Sequence, residues 1–191
     1  MNLKEKKTKK VQPKKTAIVV NLIGGPGVGK TILTHELVAR IKREFFSCDI
    51  SAEYIKRKLR EQALKVIQSQ IYIFGKQQFQ LFTMKDDVDV IVTDSPILLS
   101  AIYDKSECPH LKALILKEYH SYNNLMYYIE RDPSVPYEKE GRYQDLKGAK
   151  KVDKKVKEFL YENKIPYTTL IGIGKRSRKQ VIKDILKKIN K

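Results

Sequence analysis

The sequence predicts an α/β protein, a parallel sheet with helices on both faces, and three observations carry that reading. Short apolar runs alternate along the chain with longer segments whose apolar residues recur at helical spacing. The first apolar run leads directly into a glycine loop and then into a helix. No internal repeat or second apolar core divides the 191 residues, a length that suits one domain.

Residues 1–15 carry seven lysines against Glu5 and almost no apolar side chains. They are expected to be a disordered basic tail, serving either as a tether to an anionic surface or nucleic acid or as a solvated end. The domain is expected over 16–191. Residues 16–23 form a nearly continuous apolar run, which suits a strand buried on both faces. Residues 31–43 follow as a helix with Leu33, Leu37, Val38 and Ile41 on one stripe. A short strand is expected at 49–51 and a helix at 52–69. Another helix is expected at 71–84, with Gly75 as its weakest helix former. Residues 88–93 read as a second buried strand ending at Asp94, and Pro96 suits the first turn of the next helix. Residues 111–120 continue the helical layer and 124–130 return to strand. Residues 131–145 are polar and contain Pro133, Pro136 and Gly141, so they read as a loop or lid. Residues 146–163 are a helix with Val152, Val156, Phe159 and Leu160 in register, 167–171 a last strand and 179–189 a closing helix.

Composition narrows the function classes. No apolar run reaches the roughly 18 residues that a membrane-spanning helix requires, and Met1 is followed by lysines rather than an apolar leader. The chain is therefore expected to be cytoplasmic, in a host cell if viral. Cys48 and Cys108 are far apart, and three scattered histidines do not complete the roughly four-ligand set of a structural zinc site. Both cysteines are expected to be reduced. The net charge of +17 attracts phosphates by its long-range field. It is concentrated at the ends: residues 175–191 carry eight Lys and Arg against Asp184.

The most specific pattern is Gly24, Gly25, Pro26, Gly27, Val28, Gly29, Lys30 and Thr31 between a strand and a helix. A polyphosphate needs many donors at close range. Glycines let backbone N–H groups wrap it without a Cβ in the way, and the helix N-terminus adds positive potential. Lys30 would reach the β- and γ-phosphates and Thr31 would offer its hydroxyl to Mg²⁺. ATP is the expected nucleotide, with GTP as the alternative. A strand parallel to the first would bring Asp94 to the same end of the sheet, where it could hold Mg²⁺; its other reading, shared with Ser95, is a helix N-cap. Arg131 and Arg142 on the 131–145 lid could neutralise charge on a transferring phosphoryl group, or could be surface residues. Glu53 could accept a proton from a substrate hydroxyl, or simply favour a helix N-terminus. Tyr119, Tyr122, Tyr127 and Tyr128 could stack bases, but their spacing favours packing against the sheet.

The order "GGPGVGKT", "AEYIKRK", "VIVTDSP" and "YYIERD…YEKEGRYQ…AKKVDKKVKEFL…IPYTTL" resembles the AAA-like P-loop domain of many phage proteins and of the nicotinamide-riboside kinases of bifunctional bacterial enzymes. More distantly it resembles deoxynucleoside kinases. The resemblance spans about 16–190. It implies a three-layer P-loop NTPase fold with a five-stranded parallel sheet of order 2-3-1-4-5. It also implies a catalytic base at Glu53, an Asp-Ser-Pro element at Asp94, Ser95 and Pro96, and lid arginines at Arg131 and Arg142. Together these readings lead to an ATP- and Mg²⁺-dependent phosphotransferase for a nucleoside, nucleotide or related metabolite, with Lys30, Glu53, Asp94, Arg131 and Arg142 as catalytic candidates. Two alternatives stand beside it. One is a DNA or RNA kinase of a phage modification pathway, which the basic ends motivate. The other is a nucleotide-dependent switch ATPase with no acceptor but water.

Overall fold

The structure is a computed structural model that describes residues 16–52, 64–137 and 145–190. The expected basic tail, Glu53 and Arg142 lie outside the described residues.

The first strand, β1 (Ile18–Ile23), is buried at all six positions, as its unbroken apolar run requires. Helix α1 (Lys30–Arg43) buries Leu33, Thr34, Leu37 and Ile41. Strand β2 (Cys48–Ser51) follows, and further on a short α2 (Leu64–Gln68) and a long α3 (Gln70–Met84). Ser69 separates these two helices: its extended backbone breaks the first, and its hydroxyl accepts from the Tyr72 N–H to cap the second. Gly75 does not interrupt α3, which continues through it.

Strand β3 (Val90–Thr93) leads through a bend into α4 (Leu98–Tyr103). The helix begins two residues after Pro96, because the Leu99 N–H first closes a turn onto the Pro96 carbonyl at 2.9 Å. Ile97 holds the N-cap position, so neither Asp94 nor Ser95 caps this helix. Helix α5 (Pro109–His120) opens with proline in its first turn, where no N–H is missed. Strand β4 (Asn123–Glu130) and helix α6 (Leu146–Glu162) follow; the Asp145 carboxylate caps α6 at the Gly148 N–H, 2.7 Å away. Strand β5 (Thr168–Ile171) and α7 (Lys175–Ile189) complete the chain. Helix α7 starts one turn earlier than its apolar spacing predicts, since Lys175, Arg176 and Arg178 leave no apolar stripe to read there.

The five strands are all parallel in the order β2-β3-β1-β4-β5, as expected. On one side of the sheet, α1 and α7 pack on Ile18, Val20, Leu22, Val92, Tyr127 and Ile129. On the other, α3, α4, α5 and α6 pack on Val19, Ile23, Ile91, Met126 and Tyr128. Alternate residues of β1 thus feed opposite cores, which makes three layers. The order reverses at β1, with β3 on one flank and β4 on the other. A crevice opens there at the C-terminal ends of the strands. Among the described residues no helix is long and apolar enough to cross a membrane.

Candidate active site

The loop from Gly24 to Gly29 occupies that crevice. Gly29 forms the N-cap of α1 at φ 85°, a conformation that disfavours a side chain, and a Cβ there would lie 2.8 Å from the Ile173 side chain. No side chain caps α1, and its first turn carries no acidic residue. Its first N–H groups therefore face the loop as donors, with the positive end of the helix dipole behind them. The Lys30 ammonium folds back over the loop and donates to the Gly24 and Gly25 carbonyls at 2.7 and 2.8 Å.

Two neighbouring strands supply the loop's flanks. From β3, Asp94 stands 4% exposed, and its Oδ2 accepts a 2.6 Å hydrogen bond from Thr31 Oγ1 at the start of α1. A carboxylate this buried requires such a donor. Beside it, Ser95 is bound by Gln77 of α3, whose Nε2 donates to Ser95 Oγ at 2.6 Å, and the Ser95 N–H donates to Thr93 Oγ1. From β4, Arg131 turns inward: its guanidinium donates to the Pro26 carbonyl at 2.9 Å and, through two nitrogens, to Asp153 Oδ2 at 3.0 and 3.2 Å. The ring of Tyr137 lies under the same guanidinium at 5.4 Å. The other oxygen of Asp153 accepts the Gly25 N–H at 2.8 Å. Asp153 of α6 thus ties Arg131 to the loop, and both side chains are only 16% exposed.

Lys30, Thr31, Asp94 and Arg131, read from the sequence as one site, therefore converge on one loop. Glu53 and Arg142 fall outside the described residues. Asp153, which belongs with Ala149 to the segment that carries the family resemblance, joins the converging residues at Gly25, and Gln77 joins them through Ser95. Ala149 and Asp153 are spaced i, i+4 on α6 and so share one face of it. That face meets Gly25, where an added Cβ would overlap the Asp153 carboxylate and lie 2.8 Å from the Ala149 carbonyl oxygen. Gln77 is an amide beside Ile73, Phe74 and Leu81 on the buried face of α3, a polar residue where packing alone wants none.

The four tyrosines are packed in the core rather than offered to bases. Burial pushes the Tyr119 hydroxyl up to about 12 and raises Tyr127 and Tyr128 as well. Both cysteines are free, and burial pushes the Cys48 thiol up to about 12, which leaves it unreactive at neutral pH.

Residues 19–177 match the AAA domain family, and the chain belongs to it. No curated protein matches the sequence. Among solved structures, the chain is similar to the deoxyadenosine kinase of M. mycoides, at 18% identity over 90% of this chain and 98% of that one, with a TM-score of 0.52. It is similar to the NadR protein in complex with NR, at 16% identity over 91% of this chain and 52% of that one, with a TM-score of 0.62. It is also similar to a thymidylate kinase from Ehrlichia chaffeensis, at 13% identity over 89% and 99%, with a TM-score of 0.58. At these identities the likeness establishes the fold, and the resemblance read from the motifs is borne out.

Proposed function

We propose that this AAA domain protein is an ATP- and Mg²⁺-dependent phosphotransferase whose acceptor is a nucleoside, a nucleotide or a related metabolite. One observation carries the reading: the Thr31 hydroxyl and the buried Asp94 carboxylate meet at 2.6 Å at the start of the helix that Lys30 opens. Two hard oxygen donors from different elements stand where the far end of a loop-bound triphosphate would lie. That donor set fits Mg²⁺, which takes one or two carboxylates plus phosphate and water rather than a full protein cage. Among the described residues no group of three or more His, Cys, Asp or Glu forms a competing metal site. When bound, Mg²⁺ would offset charge on the β- and γ-phosphate oxygens.

The chain's own residues would do the rest. Amides of Gly24, Gly25, Gly27, Val28 and Gly29, with Pro26 shaping the turn, would surround the phosphates. Lys30 would exchange the Gly24 and Gly25 carbonyls for the β- and γ-phosphates. Arg131, held by Asp153 beside the loop, would meet the charge that spreads over the transferring group, with Arg142 joining it from the lid. Asp94 is engaged with Thr31, so Glu53 is the better base for the acceptor hydroxyl. The kinase names of two structural neighbours support an acceptor of the nucleoside or nucleotide class.

The test is transfer from γ-labelled ATP to a panel of nucleosides, nucleotides and DNA. Label is expected on a nucleoside or nucleotide, and Lys30→Ala is expected to lower the rate by about 100-fold or more. Label on DNA ends would move the acceptor to a polynucleotide. Label found only as inorganic phosphate, whatever acceptor is offered, would make the protein a hydrolase. A Lys30→Ala variant at wild-type rate would refute the site itself.

A further inference from the structure

Just after β4 the chain turns back toward the strand it has left. The Asp132 carboxylate accepts from both the N–H and the hydroxyl of Ser134, at 2.9 and 2.6 Å, and the Val135 N–H donates to the Asp132 carbonyl at 3.2 Å. Pro136 stiffens the return, because a proline ring disfavours helical backbone at the residue before it. The next residue is Tyr137, and the Arg131 guanidinium carbon lies over its ring, 5.4 Å from the centre.

The hydrogen bonds of Arg131 do not fix it by themselves. Nε and Nη2 both donate to Asp153 Oδ2, at 3.2 and 3.0 Å, and Nη2 also donates to the Pro26 carbonyl at 2.9 Å. These bonds end on two oxygen atoms. Two points define an axis, and a planar group bonded to both can rock about it. The Tyr137 ring supplies a third contact, and the attraction between cation and ring holds the plane against it. A guanidinium carries five N–H donors. Nε and Nη2 make the bonds to Asp153 and Pro26, and among the described residues Nη1 makes none.

We propose that Tyr137 is a positioning residue, whose ring holds the Arg131 guanidinium so that Nη1 is the edge presented to the transferring phosphoryl group. The inference rests on the reading of Arg131 as the cation that meets that group. The ring also keeps water from a guanidinium whose side chain is only 16% exposed, and a cation in such surroundings acts more strongly on developing charge than one in bulk water.

The test reads the rate at which ATP loses its γ-phosphate, whether to an acceptor or to water. Tyr137→Leu is expected to lower kcat by about 3- to 30-fold, the size of a cation–ring contact. KM for ATP is expected to stay within about twofold, because the contact acts on charge that develops in the transition state. Tyr137→Phe keeps the ring and is expected near the wild-type rate. In an Arg131→Gln background the ring has no cation to hold, so Tyr137→Leu is expected to lower kcat no further. A wild-type chain that releases only inorganic phosphate would refute the acceptor reading and leave this measurement intact. An independent reading needs no turnover: the Arg131 Nε–H proton signal, identified by its loss in Arg131→Gln, is expected to move in Tyr137→Leu and to keep its place in Tyr137→Phe. Wild-type kcat in Tyr137→Leu would overturn the inference. So would a Tyr137→Phe variant as slow as Tyr137→Leu, an equal loss with and without Arg131, or an Arg131 signal indifferent to the ring.

Discussion

The phosphate-binding loop is held from two sides, and the two sides are built differently. Toward β3, the tie is the Thr31–Asp94 hydrogen bond, made by residues of two contiguous motifs that each end or begin a regular element. Toward β4, the tie is Arg131–Asp153–Gly25, and its central carboxylate comes from a helix 128 residues along the chain from the loop. The first arrangement brings together two oxygen atoms that would face Mg²⁺ on the proposed function. The second consumes its polar groups internally, joining a loop amide, a guanidinium and a carboxylate in a network that is mostly buried. The difference separates two jobs. On the proposed function one side would bind Mg²⁺ with the nucleotide, while the other fixes the loop's shape and the position of Arg131.

If that division holds, the two sides should fail differently. The larger effect belongs to Asp94. Asp94→Asn keeps an oxygen that Thr31 can donate to but removes the charge, so stability should change little. Activity should fall by about 10- to 100-fold, with a higher Mg²⁺ concentration needed for half-maximal rate. A Mg²⁺ titration of the labelled transfer reads this directly. An unchanged Mg²⁺ requirement would remove Asp94 from the metal side and erase the contrast.

On the other side, Asp153→Ala should act first on stability. It leaves the Arg131 guanidinium without its carboxylate and the Gly25 N–H without its acceptor, in surroundings where water is only partly available to replace them. The cost should be about 1–3 kcal/mol, read as a lower urea midpoint at an unchanged slope. Its Mg²⁺ requirement should match the wild type. A variant as stable as the wild type would mean that the network is incidental to the fold.

The same contrast governs what could be read in the sequence. β1 and its loop were legible because an unbroken apolar run, a glycine pattern and a helical stripe follow one another without a gap. Asp94 was legible because a buried parallel strand can only deliver its last residues to the crevice. Arg131 was legible for the same reason on β4. Asp153 belongs to a helix whose apolar face predicts its packing but not which loop atom it meets, since that depends on how closely α6 crosses Gly25. The early start of α7 was missed because a first turn held by backbone hydrogen bonds, such as Arg178 N–H to the Gly174 carbonyl, needs no apolar residue.

The smallest effect is the sharpest test of the crossing itself. Gly25→Ala puts a methyl group into the space taken by the Asp153 carboxylate and close to the Ala149 carbonyl. The carboxylate can be removed by mutation and the carbonyl cannot. Gly25→Ala should therefore cost about 1–3 kcal/mol in the wild type, as overpacking does. It should cost less, but still something, in an Asp153→Ala background. The two substitutions remove the same contact, so their effects should be non-additive by about 1 kcal/mol. A double-mutant cycle in urea measures that difference. Strict additivity would mean that Gly25 and Asp153 do not touch in solution, and that α6 stands further from the loop than the 2.8 Å hydrogen bond between Gly25 and Asp153 requires.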